Sequence, residues 1–507
     1  MKTIYFESTA PSSVERTVRE MNKWRPSGVL SLASAISLLV ALGAMAGLTA
    51  TVLYGQGLSA HAAITLCIFV GAVWFWIFTK VEDTYVALGA AVALVISGTL
   101  PTQSLFHALG EESIWLLMAA FVIASAVAST GLAARGAAFV ITGARNVRQL
   151  AHLTSLGLVV TAFAIPATSG RAALALPIFL ALRGSLRDRP NVTKMLSILF
   201  PTVILLSAVS SFLGAGAHLI TSQVLESAGL RGFDFASWLL LGLPLAMVSS
   251  VLATELVLRL FTSKSDQSQG LRVNIGQLQE QSVTRLKGPL DLDEHRSLLL
   301  LGAVVVLWCT EPIHGLEPAL VALIGALVVS SPYYGSVKLG AALKKVPWSM
   351  LIFMAATLAL GSSLVTSGAA HWLASSLLGP VELLGPAKPV IFVVAVVAIS
   401  TSAHLVIQSR SARSAVLIPI VVASAGAMGV DPVAAAFAST AAAGFCHTLT
   451  SSAKPVALFA ETDGQANYEP RDLLRLSAWL GPANAVVVLL FSFFVWPHMG
   501  LPLFPSH

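Results

Sequence analysis

The sequence predicts an all-α polytopic membrane protein, and its composition, its apolar runs and its charge placement each indicate this fold class. Of the 507 residues, 56% are hydrophobic and 11% are charged, compared with roughly 25% charged residues in soluble domains. The chain is divided into apolar runs, many of them near the roughly 20 residues that a helix needs to cross hydrocarbon about 30 Å thick. Lys and Arg form short clusters between these runs.

Eleven apolar runs are predicted to span the membrane, and two further segments are predicted to enter it as re-entrant hairpins. The spans lie near 29–54, 59–79, 83–100, 113–132, 195–225, 236–261, 298–312, 318–331, 348–368, 432–458 and 476–497. The hairpins turn at tip 1 (residues 167–171, Ala-Thr-Ser-Gly-Arg) and tip 2 (residues 409–413, Ser-Arg-Ser-Ala-Arg). Such unwound turns are tolerated inside a membrane where protein or a water-filled cavity covers them.

The basic clusters predict the orientation of the chain. They follow every second span, from Lys80 to Arg475, whereas the opposite connections carry few basic residues, among them Arg231 and Lys388. The positive-inside rule then places the N-terminus in the cytoplasm and the C-terminus outside, in a cell inner (plasma) membrane. Residues 1–28 lack a short apolar core followed by a small-residue cleavage site, so we expect no cleaved signal peptide.

Two matching stretches predict an inverted-topology repeat. Residues 113–120 (SIWLLMAA) recur as residues 349–356 (SMLIFMAA), and each copy is followed by a hairpin tip. Because the flanking charges place the mouths of the hairpins on opposite faces, the matched helices run in opposite directions. Substrate is expected near the midplane, where the two halves meet.

The repeat predicts six segments along the chain. They are a cytoplasmic arm (1–28), scaffold helices (29–112), the first repeat with its hairpin (113–261), a cytoplasmic linker (262–296), further scaffold helices (297–347) and the second repeat with its hairpin (348–507). Two short helices, 133–148 and 370–378, are expected to lie along the membrane surface beside the hairpins.

Arginine, lysine and hydroxyl side chains around the tips predict a binding site for an anion. An arginine at bilayer depth costs several kcal/mol unless it has a partner or faces water. After each hairpin, a span is broken by small residues, and half-helix N-termini attract anions. The candidate substrate-binding residues are Thr168, Ser169, Gly170, Arg171, Gly216, His218, Ser409, Arg410, Ser411, Arg413, Ser451, Ser452 and Lys454.

A site with so many cations and few carboxylates favours an anion with more than one negative charge, such as a dicarboxylate, sulfate or sulfonate. We expect Arg171 and Arg413 to hold the two ends of a dianion from opposite hairpins. The alternative for each arginine is a structural role, in which it reaches an interface or pairs with Asp or Glu. For His218, a satisfied position in the core is the alternative to ligand contact.

Other functional classes have little support in the sequence. Catalytic zinc, nucleophile-elbow and phosphate-loop motifs do not occur, so we expect no enzyme, cofactor or metal site. Cys67, Cys309 and Cys446 lie in apolar runs without metal or redox spacing. The basic clusters fit a topology signal, so no nucleic-acid partner is expected. An anion channel remains an alternative, because arginine rings also line anion pores.

The hairpin tips and the broken spans resemble those of the divalent anion/sodium symporter family, within the ion transporter superfamily, over about residues 30–500. Tips in that family commonly read Ser-Asn-Thr, and in its dicarboxylate exchangers the first tip continues to Ala-Arg, which corresponds to Arg171. The resemblance implies a homodimer that carries dicarboxylates such as malate, succinate or 2-oxoglutarate. It also implies a fixed scaffold and a transport domain that moves like an elevator.

This sequence differs from the sodium-coupled members at the tips, where Thr168 and Arg410 replace the family's asparagines. A guanidinium within a few ångströms of Na⁺ repels it by several kcal/mol at an effective dielectric constant of about 20. The sequence therefore favours sodium-independent exchange. The alternative is sodium- or proton-coupled symport of a dicarboxylate, citrate, sulfate or sulfonate.

Overall fold

The computed structural model describes residues 32–53, 57–268, 270–271, 276, 279, 285–378, 385–462 and 464–504. The predicted N-terminal arm, residues 1–28, lies outside these residues, as does part of the predicted linker.

The described chain is almost entirely helical. The main helices of its first half are α1 (Leu32–Leu53), α2 (Ala60–Phe78), α3 (Asp83–Ile96), α4 (Glu112–Thr130), α5 (Leu132–Ile141), α6 (Val147–Ala164), α7 (Thr168–Ser185), α8 (Pro190–Leu206), α9 (Gly216–Ser227) and α10 (Phe235–Phe261). Those of its second half are α11 (Leu292–Cys309), α12 (Pro318–Val329), α13 (Trp348–Thr366), α14 (Ala369–Leu378), α15 (Lys388–Ser402), α16 (Arg410–Ala425), α17 (Pro432–Ala442), α18 (Lys454–Ala460) and α19 (Pro470–Leu490).

Short elements connect these helices. They are the helices Thr102–His107, Lys264–Ser268, Glu311–His314 and Leu339–Leu343, and the antiparallel strands Glu461–Thr462 and Gln465–Ala466. The surface helix predicted over 133–148 ends earlier, at Ile141, and is followed by a turn, whereas the one predicted over 370–378 corresponds to α14.

Nine helical runs within the described residues are long and apolar enough to cross a membrane. Four shorter apolar helices accompany them. Each of the eleven predicted spans contains a helix, and each predicted hairpin consists of two helices. The tips were predicted to be unwound, but residues 168–171 and 410–413 form the first turn of the second helix of each hairpin, and the non-helical connection lies just before them. The all-α polytopic membrane fold is therefore confirmed, and the number of crossings stays a prediction.

The order of helices from α4 to α10 recurs from α13 to α19. In each case a long helix is followed by a short helix, a hairpin pair, a broken helix and a further long helix. The hairpin pairs are α6–α7 and α15–α16, and the broken helices are α8–α9 and α17–α18. This order is what the predicted repeat requires, and the opposite orientation of the two copies in the membrane stays a prediction.

Each hairpin packs against the broken helix of the other copy. Helix α7 contacts α18, and helix α16 contacts α9. In the first of these contacts, buried Phe179, Phe200 and Phe459 form a cluster with ring centroids 5.4 to 5.7 Å apart. Each hairpin is therefore packed against part of the opposite half of the chain.

The break after α8 requires glycine at one position. The chain continues through the 3₁₀ turns Ser207–Ser210 and Phe212–Gly214 before α9 begins. A Cβ atom at Gly214 would lie 2.0 Å from the Ala208 carbonyl oxygen, so no larger residue fits without moving the backbone. Tip 1 is attached to this break, since the Ala167 amide donates to the Leu213 carbonyl at 3.4 Å.

Tip 1 also contains a strained residue. Ala167 has φ of 71°, and within the described residues all other positive-φ positions are glycines. This conformation costs a residue with a Cβ on the order of 1–3 kcal/mol and persists where the surroundings hold it, often at functional sites.

We predict that Phe459→Ala destabilises the protein by about 3–5 kcal/mol, the usual range for deleting a buried aromatic ring. The matched control is Phe494→Ala, because the Phe494 side chain is exposed. Melting temperatures of the purified proteins, followed by fluorescence-detected gel filtration, compare the two. Equal melting temperatures for both variants would contradict the packing described for α7, α8 and α18.

Candidate functional site

Arg171 of tip 1 is fully buried and makes four hydrogen bonds to protein groups. Its guanidinium donates to the Ile204 carbonyl at 2.9 Å and to the Ser207 hydroxyl at 2.7 Å, both at the end of α8. It also donates to the Leu158 carbonyl at 2.6 Å and the Thr161 hydroxyl at 3.1 Å on α6. Arg171 therefore fastens the first hairpin to the end of α8.

Arg413 of tip 2 occupies the corresponding place in the second half. It is fully buried, and its Nη2 donates to the Ala443 carbonyl at 3.1 Å, at the end of α17. Unlike Arg171, it has two nitrogens, Nε and Nη1, that are buried without a partner in the described part of the chain. The two arginines thus hold equivalent helix ends but differ in how many donors remain.

Arg410 of tip 2 reaches across to the first half. Its Nη1 lies 3.5 Å from the Leu205 carbonyl, next to the carbonyl that Arg171 binds. Its Nε and Nη2 are buried and have no hydrogen-bond partner among the described residues. The guanidinium lies against Gly444, where a Cβ atom would be 2.9 Å from Nη2. Its charge repels those of Arg171 and Arg413.

Of the ion pairs formed by the described residues, none includes Arg171, Arg410 or Arg413. These three positive charges are therefore held by carbonyl and hydroxyl oxygens alone. Pairing with Asp or Glu was one alternative for the arginines, and within the described residues these three arginines do not form it. Burial of guanidinium groups without a carboxylate leaves a strongly positive region in a low-dielectric interior.

Histidines near the breaks have local partners. The His218 Nδ1–H donates to the Ser211 carbonyl at 3.0 Å, and the ring stacks on Trp238 with centroids 4.7 Å apart. Its Nε2 is buried and has no partner among the described residues, so the satisfied core position is not met, and contact of His218 with substrate stays a prediction. His404 joins the second hairpin to the second break, because its two ring nitrogens lie 2.7 Å from the Thr401 carbonyl and the Thr448 hydroxyl.

A cavity of about 580 Å³ lies beside tip 1. Ser169 and Gly170 of the tip face it, together with residues of α4 and α7, and the lysines Lys345 and Lys454 contribute its charged wall. This volume is within the range of roughly 300–1,000 Å³ that is usual for small-ligand sites. The predicted residues Ser169, Gly170 and Lys454 are therefore brought together.

Met350 lies at this cavity and also beside Gly216, a neighbour of tip 2. Its side chain lines the cavity and also lies against Gly216, where a Cβ atom would be 2.4 Å from the Met350 methyl carbon. The same Cβ position is 3.1 Å from the Ser411 hydroxyl, so Gly216 and tip 2 are direct neighbours. The glycine allows the second hairpin to approach the first break closely.

The remaining predicted residues lie on tip 1, tip 2 and the second break. The Ser409 side chain accepts the Ala412 amide at 3.3 Å and begins α16. Ser452 is buried and its hydroxyl accepts the Leu449 amide at 3.0 Å within the second break. Ser451 is exposed, and Thr168 is half-buried at the start of α7. These hydroxyls are near the site, and their contact with substrate stays a prediction.

Several residues of this region were not predicted from the sequence. Lys345 and Met350 come from the segment before and at the start of α13, and Asp83, at the start of α3, faces Ser409 and Lys454. The carbonyls of Ile204, Leu205 and Ala443 belong to residues with apolar side chains, so no side-chain pattern marks them.

The family of the chain follows from a comparison with family models. Residues 33–501 match the model described as the sodium:sulfate symporter transmembrane region. The chain belongs to the sodium:sulfate symporter family. The resemblance to divalent anion/sodium symporters is thereby confirmed over nearly the whole chain.

Relatives of this member of the sodium:sulfate symporter family include named transporters. It is 24% identical over 427 residues to the chloroplastic dicarboxylate transporter 2.1 of Arabidopsis thaliana, covering 81% of this chain and 73% of that protein. It is 23% identical over 464 residues to the sodium-dependent dicarboxylate transporter SdcS of Staphylococcus aureus, covering 86% and 85%. A membrane protein of Cupriavidus necator is 22% identical over 397 residues, covering 76% and 74%.

Solved structures of membrane transporters have a similar fold. The YdaH transporter of Alcanivorax borkumensis aligns with a TM-score of 0.52 at 15% identity, covering 88% of this chain and 100% of that one. MtrF of Neisseria gonorrhoeae aligns with a TM-score of 0.58 at 13% identity, covering 90% and 99%. At these identities the likeness concerns the fold alone, and it agrees with a membrane-embedded, mainly helical architecture.

We predict that Arg171→Lys lowers stability more than Arg413→Lys does. Lysine keeps the charge but cannot reach four acceptors with one ammonium group, and each buried acceptor left without a partner costs about 1–3 kcal/mol. Arg413 gives up one protein hydrogen bond, so its replacement costs less. Melting temperatures of the purified variants measure the difference. Equal losses, or a larger loss for Arg413→Lys, would contradict the structural role given to Arg171.

Proposed function

We propose that the protein is a secondary active transporter of small divalent anions, with dicarboxylates as the substrate class, and that it works by sodium-independent exchange. The observation that carries this proposal is the pair of buried arginines on tip 2. Arg410 and Arg413 together have four nitrogens without a protein partner among the described residues, and neither arginine has a carboxylate partner. The names of the Arabidopsis and Staphylococcus relatives support a dicarboxylate.

The site favours a dianion for reasons of charge and geometry. Charge-assisted hydrogen bonds from a guanidinium to a carboxylate are about twice as strong as neutral ones. Two guanidinium groups can hold two carboxylates, and their mutual repulsion is relieved when both are neutralised. In this proposal Arg413 and Arg410 bind substrate, whereas Arg171 positions the tip, because four of its hydrogen bonds go to protein groups.

Access to the arginines is proposed to run through the cavity beside tip 1. Lys345 and Lys454 give its wall a positive charge that attracts an anion, and Met350 lines the cavity and lies against Gly216, a neighbour of tip 2. A methionine has three rotatable bonds and adapts its shape at low cost. We propose that a rotation of the Met350 side chain admits substrate to Arg410 and Arg413.

Exchange follows from the fixed charges. With a dianion bound, Arg410 and Arg413 are neutralised and the charge of Arg171 remains, whereas the empty site keeps all three buried positive charges. Carrying such charges through a low-dielectric barrier costs several kcal/mol for each ion. The carrier should therefore return only when it is loaded. Arg410 also stands where an asparagine occurs in sodium-coupled members, so its charge disfavours a cation there.

The proposed movement is an elevator motion in a homodimer of the plasma membrane. In this scheme the predicted scaffold segments, 29–112 and 297–347, stay fixed, and the hairpins and broken helices move with the substrate. A buried ion pair of 2.9 Å between Arg135 on α5 and Glu294 on α11 supports an attachment of the short helix to the scaffold.

The proposal predicts counterflow in proteoliposomes. Labelled succinate or malate should enter vesicles preloaded with the unlabelled anion much faster than empty vesicles, and the rate should saturate. Replacing Na⁺ with K⁺ should leave the rate unchanged. Vesicles reconstituted without protein provide the background.

Three results would contradict different parts of the proposal. Accumulation in empty vesicles that requires an inward Na⁺ gradient would establish sodium-coupled symport. An anion current that neither saturates nor depends on the anion inside would establish a channel. If no dicarboxylate is exchanged but sulfate is exchanged saturably, the proposed substrate class is wrong and the proposed exchange mechanism stands.

We predict that Arg410→Gln and Gly444→Ala both reduce exchange, by different routes. The first removes a charge that meets substrate, and loss of one partner of a buried charge pair costs about 2–5 kcal/mol. The second keeps the arginine but adds a Cβ where its Nη2 lies. Arg187→Gln is the control, because Arg187 is exposed. Exchange rates of folded variants in proteoliposomes measure the effect, and normal exchange by Arg410→Gln would remove Arg410 from the site.

A further inference from the structure

A second cavity, of about 390 Å³, lies at the opposite end of α4 from the cavity beside tip 1. Glu112 at the start of α4 lines the second cavity, whereas Ala128 near the end of α4 lines the first. We call the second one the acidic cavity. It is separate from the arginines, and nothing in the proposed transport cycle requires it.

Carboxylates from three separate parts of the chain surround the acidic cavity. They are Glu111, Glu112, Glu226, Asp234 and Glu311. The cation among its lining residues is Arg231, whose side chain is 90% exposed and lies 3.5 Å from Asp234. The other four carboxylates form no ion pair with Lys, Arg or His among the described residues. The cavity therefore carries an excess of negative charge.

Gln223, a buried residue with an unpartnered amide oxygen, also lines the acidic cavity. Gln223 is 4% exposed, and its Nε2 donates to the Ser113 hydroxyl. Its Oε1 is buried and accepts no hydrogen bond from any described residue. Oε2 of Glu311 is buried and unpartnered in the same sense. A buried acceptor without a donor is costly, so these two oxygens indicate that a donor belongs in the cavity.

The acceptors are arranged for an extended donor rather than for a bare metal ion. Within the described residues, no group of three His, Cys, Asp or Glu side chains could hold a metal ion. The carboxylates of Asp234 and Glu112 lie near the Glu311 carboxyl, so a positive charge at this position would be favourable. An alkylammonium group supplies three N–H donors and no acceptor, which complements a wall of oxygens.

We propose that the acidic cavity binds an aliphatic polyamine, with one ammonium group at Gln223 and Glu311 and another at Glu226. Several ammonium groups on one flexible chain match carboxylates that are spread over the cavity wall. Each group gains charge-assisted hydrogen bonds to oxygens that now lack donors. A cation of the same charge without N–H groups would gain the attraction alone.

The test is isothermal titration calorimetry with the full-length protein in nanodiscs of phosphatidylcholine, which has no net charge to attract the ligand. Spermidine should bind saturably at about one molecule per chain. Hexamethonium, a dication without N–H donors, should bind at least about tenfold more weakly than 1,6-diaminohexane, a dication with the same carbon spacing and with N–H donors. The double variant Glu226→Gln with Glu311→Gln, and separately Gln223→Leu, should each weaken spermidine by about tenfold or more. Asp188→Asn, at an exposed position outside the cavity, should leave it unchanged.

Three results would overturn the inference. They are the absence of saturable spermidine binding, equal affinity for hexamethonium and 1,6-diaminohexane, and equal spermidine affinity of the cavity variants and the Asp188→Asn control. Gel filtration identifies any variant that does not fold, and the uncharged change Gln223→Leu keeps the test decisive if the double variant fails. Binding is measured without transport, so the outcome is independent of the exchange proposed above.

Discussion

The structure depends on arginines that close the carboxyl ends of two broken membrane helices. The last carbonyls of a helix have no partner within the helix, and the end carries about half a negative charge. In hydrocarbon, an unsatisfied carbonyl costs several kcal/mol. Arg171 satisfies the Ile204 carbonyl, Arg410 reaches the Leu205 carbonyl, and Arg413 satisfies the Ala443 carbonyl. These contacts allow the helices to break inside the protein, and they attach each hairpin to a break.

The three arginines differ in how many of their N–H groups donate to protein oxygens. An arginine whose groups are all used is structural, and one with unused groups can bind an anion. Arg171 donates to oxygens on α6 and at the end of α8, so its position fixes the first hairpin. Arg413 gives one hydrogen bond to the protein, and Arg410 gives one long one. The same interaction that supports the fold therefore leaves guanidinium N–H groups free on tip 2. The free donors and the fixed charges are the features from which anion binding and obligatory exchange are argued.

The sequence predicted the fold and the region of the site well, because both depend on patterns along the chain. Apolar runs marked the helices, and Arg171 and Arg413 stood out as charges within such runs. The sequence could not predict that Arg171 is engaged by protein, because its main acceptors are backbone carbonyls of Leu158 and Ile204. Lys345 was missed because its position beside tip 1 is set by tertiary packing. The acidic cavity was missed for the same reason, since its carboxylates come from distant connections.

The most direct test of the central claim is a structure of the protein with a bound dicarboxylate, solved by cryo-electron microscopy. The account predicts carboxylate oxygens about 3 Å from nitrogens of both Arg410 and Arg413. It also predicts that the four hydrogen bonds of Arg171 remain. A dicarboxylate bound to Arg171 after loss of those hydrogen bonds, or held by Lys345 and Lys454 without either arginine of tip 2, would contradict it.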